Sequence, residues 1–189
     1  VDELRTTPYH QPVAWSRREP QPDEAQFRDG VHLDLRFPDP GGLLATAFAD
    51  FRRFLQLGGI REDGPYSLTV YRCPVPCREA FVVRVGRDGC FLGAGDTEGI
   101  RRGLVWLEDE MLRREGPFLP LGEFTRKPVI RTRISRCFYG PVNRPPKSKD
   151  ELADDVDYYP EEYLNRLAHE GVNALWFTMH FFRTVPSRI

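Results

Sequence analysis

Arg136 stands near the end of a strand-like run, Val129-Ile130-Arg131-Thr132-Arg133-Ile134-Ser135-Arg136-Cys137-Phe138. A guanidinium is a planar fork of five N–H donors that fits paired hydroxyls or a carboxylate. At a strand end it can act as such a clamp or as half of an ordinary salt bridge. Tyr139, Asn143 and Arg144 follow directly. Their types suit either loop packing or a shallow ligand subsite, with an aromatic face for a ring and polar groups to orient it. His180 lies beyond a second strand-like run, among Trp176, Phe177, Phe181 and Phe182. It fits a packed or surface histidine, or a hydrogen bond to the same ligand.

Other chemistry-bearing residues read as structure. Glu151, Asp154, Asp155 and Asp157 could serve acid–base work, but they crowd into one polar insert where nothing fixes their separation. They read as a solvated loop or helix start. Cys73-Pro-Val-Pro-Cys77 lacks a second Cys/His pair at zinc spacing, so reduced structural thiols are expected and no metal. Cys90 and Cys137 fit the same reading, and a 73–77 disulfide is the alternative in an oxidising compartment. His10, His32 and His169 are scattered. Gly93-x-Gly95-x-x-x-Gly99 has the wrong spacing for a phosphate loop, and no nucleophile-elbow serine is present.

The elements that must position these residues follow from periodicity. Val31, Leu33, Leu35 and Phe37 alternate with polar residues, which predicts a half-buried strand. Leu44, Ala47, Phe48, Phe51, Phe54 and Leu55 keep helical spacing, and Gly58-Gly59 ends that helix. Residues 67–72 read as a strand. Residues 80–85 and 90–94 flank Gly86-Arg87-Asp88-Gly89 as a hairpin. Asp96 or Thr97 can cap a second helix striped by Ile100, Leu104, Leu107 and Met111 and closed by Gly116-Pro117. Phe118, Leu119 and Leu121 suggest a further short strand. Residues 1–30, with Pro8, Pro12, Pro20 and Pro22, read as an extended arm with a short strand near Val13-Ala14-Trp15.

The fold class expected is α+β: an antiparallel or mixed sheet with two helices on one face over residues 31–126. Residues 127–189 are expected to begin a (β/α) barrel that the chain does not complete. Strand 129–138, a helix from Pro160 to Ala168 stopped by Gly171, and strand 173–178 would be its first units. The insert 141–157 would then sit at the barrel mouth, where active-site loops gather.

Composition narrows the partners. The 189 residues carry 27 basic and 28 acidic side chains, net −1, which argues against a nucleic-acid footprint. No apolar run is long enough for a membrane helix. No basic-then-apolar leader is visible at Val1, which inclines the reading toward a cytoplasmic rather than a secreted location.

The layout resembles glycoside hydrolases that carry a small α+β domain ahead of a (β/α) barrel, the family 20 β-hexosaminidases above all and the α-glucuronidases beside them. The resemblance rests first on the glycine-spaced helix opening from Gly93 through Leu107, and then on Ile134-Ser135-Arg136-Cys137-Phe138. It extends to Tyr163-Leu164-Asn165-Arg166-Leu167-Ala168-His169-Glu170-Gly171-Val172-Asn173, the helix leading into the second barrel strand. The family next shows a His-x-His-like pattern where this chain reads Trp176-Phe177-Thr178.

The resemblance implies that Arg136 holds hydroxyls of a terminal sugar. It also implies a parent enzyme hydrolysing glycosides or oligosaccharides, with its catalytic carboxylates on later strands. Arg136 is the one substrate contact the resemblance carries; Tyr139, Asn143, Arg144 and His180 are candidates for the same site from their types and places alone. Expected partners are a carbohydrate substrate and the rest of the barrel, with no cofactor; residues 1–189 alone would be inactive. The rival reading is a non-catalytic α+β carbohydrate-binding or protein-interaction module.

Overall fold

Period-two alternation and two amphipathic helices build the larger part of the molecule. The computed structural model describes residues 13–136, 157 and 159–176. Among them the chain forms two units, one ending at Val129 and the other beginning at Ile130.

In the first unit, strand β1 (Glu24–Gln26) precedes β2 (Val31–Leu35), helix α1 (Ala45–Leu57) and β3 (Tyr66–Arg72). A hairpin of β4 (Phe81–Val85) and β5 (Gly89–Ala94) leads to helix α2 (Thr97–Arg113), then β6 (Phe118–Pro120) and β7 (Gly122–Arg126). Five strands make one mixed sheet in the order β2-β3-β5-β4-β7. β2, β3 and β5 run parallel, while β4 is antiparallel to both β5 and β7.

One face of this sheet carries Tyr66, Leu68 and Val70 of β3, Phe81, Val83 and Val85 of β4, and Cys90, Leu92 and Ala94 of β5, all at most 6% exposed. They share a core with Phe48, Phe51, Phe54 and Leu55 of α1 and Ile100, Leu104, Leu107 and Met111 of α2. Burying each large apolar side chain contributes about 1.5–3 kcal/mol. The product is a two-layer α+β sandwich, mixed rather than antiparallel, with the other sheet face outside this core.

The glycine pattern at the start of α2 serves close packing. A Cβ on Gly99 would lie 2.5 Å from the Ala80 carbonyl oxygen and 2.7 Å from Ala94 Cβ. Asp96 is the cap: its carboxylate accepts from the Gly99 N–H at 2.9 Å and from the Glu79 N–H at 3.1 Å. One side chain thus starts the helix and ties it to the loop before β4.

Three sequence expectations need correction. No strand forms near Trp15; the first strand among the described residues is β1, and it pairs antiparallel with β6. Residues 13–20 carry no regular structure, yet Trp15 packs edge-on against Phe54 and donates to the Gly58 carbonyl. Nor does β6 extend the main sheet: all three of its residues are buried against the arm's strand, and β7 supplies the fifth strand instead. β7 escapes periodicity because only Phe124 of its five residues is more than marginally covered. Finally, the strand drawn over 129–138 begins only at Ile134. Val129 is 98% exposed, and the Asn173 side chain accepts from the Arg133 N–H and donates to the Arg131 carbonyl, each at 2.9 Å, holding that segment in a bend.

The second unit contains β8 (Ile134–Arg136), helix α3 (Glu161–His169) and β9 (Ala174–Trp176). β8 and β9 pair parallel. Pro160 sits at the helix cap position, where its missing N–H costs nothing, and its carbonyl accepts from Tyr163 and Leu164. Glu161 and Glu162 occupy the positive end of α3, with Arg166 and His169 at its negative end.

Candidate functional site

Parallel strands joined by a helix bring their C-terminal residues side by side, and ligands in such architectures gather at that end. Here the last described residues of β8 and β9 are register partners: Arg136 stands opposite Trp176. The backbone leading to Arg136 is fixed from β9's side by Asn173. Arg133, three residues earlier and just ahead of β8, donates to the Gly171 and Ile130 carbonyls and is therefore a structural arginine. Among the described residues of this unit Trp176 is the most open aromatic, 62% exposed. Its indole is a stacking surface at the strand ends that the sequence motifs did not single out.

Tyr139, Asn143, Arg144 and His180 lie outside the described residues, as do Cys137, Glu151, Asp154 and Asp155. Asp157 accepts from the Tyr159 N–H at 2.9 Å, a local turn contact. His169 belongs to the last turn of α3 in the second unit and His32 to β2 in the first.

The thiols read from the sequence are free at Cys73, Cys77 and Cys90. Burial pushes the Cys90 thiol up to about 12, which keeps it protonated and inert. Cys73 and Cys77 line an open crevice of about 510 Å³ beyond the ends of β3 and β5, together with Arg72, Arg78 and the Asp96 cap. Among the described residues no group of three or more His, Cys, Asp or Glu side chains could hold a metal ion. No described helix is long and apolar enough to cross a membrane.

No family model matches the chain. No curated protein matches it either. Solved structures do. A GH20 exo-β-N-acetylglucosaminidase from Vibrio harveyi, solved in complex with N-acetylglucosamine, superposes with a TM-score of 0.54 at 15% identity. It covers 88% of this chain. A GH138 enzyme targeting pectin rhamnogalacturonan II gives the same TM-score of 0.54 at 17% identity over 77% of this chain. The chain shares its fold with parts of glycoside hydrolases. It spans 24% and 18% of the lengths of those two proteins. At such identity the likeness is one of architecture, and it does not carry residue roles across.

Proposed function

We propose that the chain is the N-terminal portion of a glycoside hydrolase-like enzyme acting on glycosides or oligosaccharides. The observation that carries this reading is the parallel β8–α3–β9 unit, in which Arg136 and Trp176 are register partners. Arg136 would supply a cationic donor fork and Trp176, an exposed indole, a stacking face, and the two together would suit a sugar ring. Hydroxyls take hydrogen bonds from the guanidinium, and the apolar C–H face of the ring stacks on the aromatic. Tyr139, Asn143, Arg144 and His180 would complete the subsite. The acid and base would come from carboxylates on later strands of a (β/α) barrel, of which β8 and β9 are the first two. The fold shared with the GH20 and GH138 enzymes supports this reading.

In the polypeptide that continues the barrel, Arg136→Ala should lower kcat/KM on an aryl glycoside about ten- to a hundredfold, the loss expected for one charge-assisted hydrogen bond. Arg131→Ala is the control: Arg131 precedes the strand, and its described contact is through its carbonyl. Wild-type turnover by both variants would remove Arg136 from the site. Absence of further β/α units downstream would favour the module reading.

A further inference from the structure

The face of the five-stranded sheet turned away from the helices is not a plain polar surface. Phe91 sits on the central strand β5 and is 50% exposed. Its register partners are Thr69 on β3 and Arg84 on β4. A solvated sheet face normally alternates to polar residues, and a lone exposed phenylalanine would need no explanation. This one is not alone. Tyr71, next along the same face of β3, meets it edge-to-face with ring centroids 6.4 Å apart. The Tyr71 ring is seated across its neighbour strand: where a Cβ on Gly93 would stand, Tyr71 Cζ lies 2.9 Å away. Glycine at that position opens the space the ring uses.

Hydrogen-bonding groups flank this aromatic pair on both sides. On one side Arg84 reaches Glu123 of β7 at 2.7 Å. On the other, Asp34 of β2 is paired with Arg36 at 2.6 Å and lies 3.5 Å from the Thr69 hydroxyl. Each charge on the flanks therefore has its opposite beside it, and an ion gains little by approaching. Carboxylate lone pairs and spare guanidinium N–H groups remain for hydroxyls. An apolar stacking surface between charge-compensated donors and acceptors complements an uncharged polyol with one apolar face.

We propose that this sheet face is a second carbohydrate platform, on which a pyranose ring of a neutral oligosaccharide stacks on Phe91. The platform uses only the first unit, so it stands apart from the catalytic reading of the strand ends at Arg136.

The test is a titration of the 189-residue chain with cellohexaose and with chitohexaose, up to about 10 mM, beyond the millimolar affinity a single stacked ring provides. It is read by calorimetry and by amide shifts. The expected result is binding of at least one sugar, with shifts centred on residues 69–71 and 91–93. Phe91→Ala should weaken that binding about tenfold or more, while Phe91→Tyr, which keeps the ring, retains it. Unfolding midpoints of both variants establish that loss of binding is not loss of fold. No binding of either sugar, undiminished binding by Phe91→Ala, or shifts confined to β8 and β9 would each overturn the platform. So would a Phe91-dependent dimer in sedimentation without sugar binding, which would assign the face to a second copy of the chain.

Discussion

At the scale of single residues, Glu24 does most to join the N-terminal segment to the sandwich. It is 2% exposed, and its carboxylate takes two hydrogen bonds from Arg18, at 2.6 and 2.8 Å, one from Arg114 at 2.7 Å and one from the Gln21 N–H at 2.8 Å. Arg18 also lies 4.1 Å from the centre of the Phe118 ring. The arginines, above all Arg18, hold the Glu24 carboxyl down to about 2. A carboxylate depressed on folding adds stability that is complete above its unfolded value of about 4.3 and is lost as pH falls through the folded value. Between about pH 5 and pH 2 the unfolding free energy should therefore drop in the wild type and drop less in Glu24→Gln. At neutral pH Glu24→Ala should cost about 2–3 kcal/mol in denaturant unfolding. The cost stays below that of orphaning a fully buried ion because both arginine side chains keep about a quarter of their surface exposed. A parallel acid profile for wild type and Glu24→Gln would show that the network does not tie the segment down.

At the scale of elements, the contest is between helix propensity and close approach. Alanine favours a helix interior over glycine by about 1 kcal/mol, so propensity alone would make Gly99→Ala stabilising. The new methyl group would meet the Ala80 carbonyl oxygen, which is backbone and cannot swing aside. Overpacking of this kind costs about 1–3 kcal/mol, and the net effect at Gly99 should be destabilising. At Gly103 the nearest obstacle is the Leu92 side chain, which can repack, so Gly103→Ala should cost less. Urea midpoints of the two variants decide the order; a more stable Gly99→Ala would mean that α2 does not sit as tightly on β4 and β5. The element-level misses have the same root. Phe124 is the only inward residue of β7, and β1 is three residues long, so neither gives a periodic signal.

At the scale of the molecule, the two units differ in how much they bury. The first has a continuous core spanning sheet, helices and arm. In the second, the described residues include Ile130, Ile134 and Trp176 at 64%, 56% and 62% exposed. Parallel strands with open apolar faces need covering on both sides. Expressed alone, the chain should self-associate, and amides of β8 and β9 should exchange far faster than those of β3, β4 and β5. A monomer in sedimentation with uniform protection from β3 through β9 would remove the main reason to expect further barrel strands.

The sequence by itself determined the interior of the α+β sandwich. Stripes at 3.6 and alternation at 2.0 name the residues that must leave water, so Phe51, Leu55, Leu104 and Leu107 were legible as core from spacing alone, while the cap stayed open between Asp96 and Thr97 until the structure placed it at Asp96. Spacing carries no partner information. That β3 lies beside β5 and not β4, that β6 leaves the sheet for β1, and that β7 closes the edge were decided by tertiary pairing. Arg136 was legible as a cation in a strand, because residue type and a local run suffice for that. Its neighbour Trp176 was not, since 40 residues separate them and only the parallel register of β8 and β9 sets them side by side. Phe91 shows the same limit from the other side: in the sequence it is one more apolar residue of a hairpin strand, and only the sheet reveals that it faces away from the core.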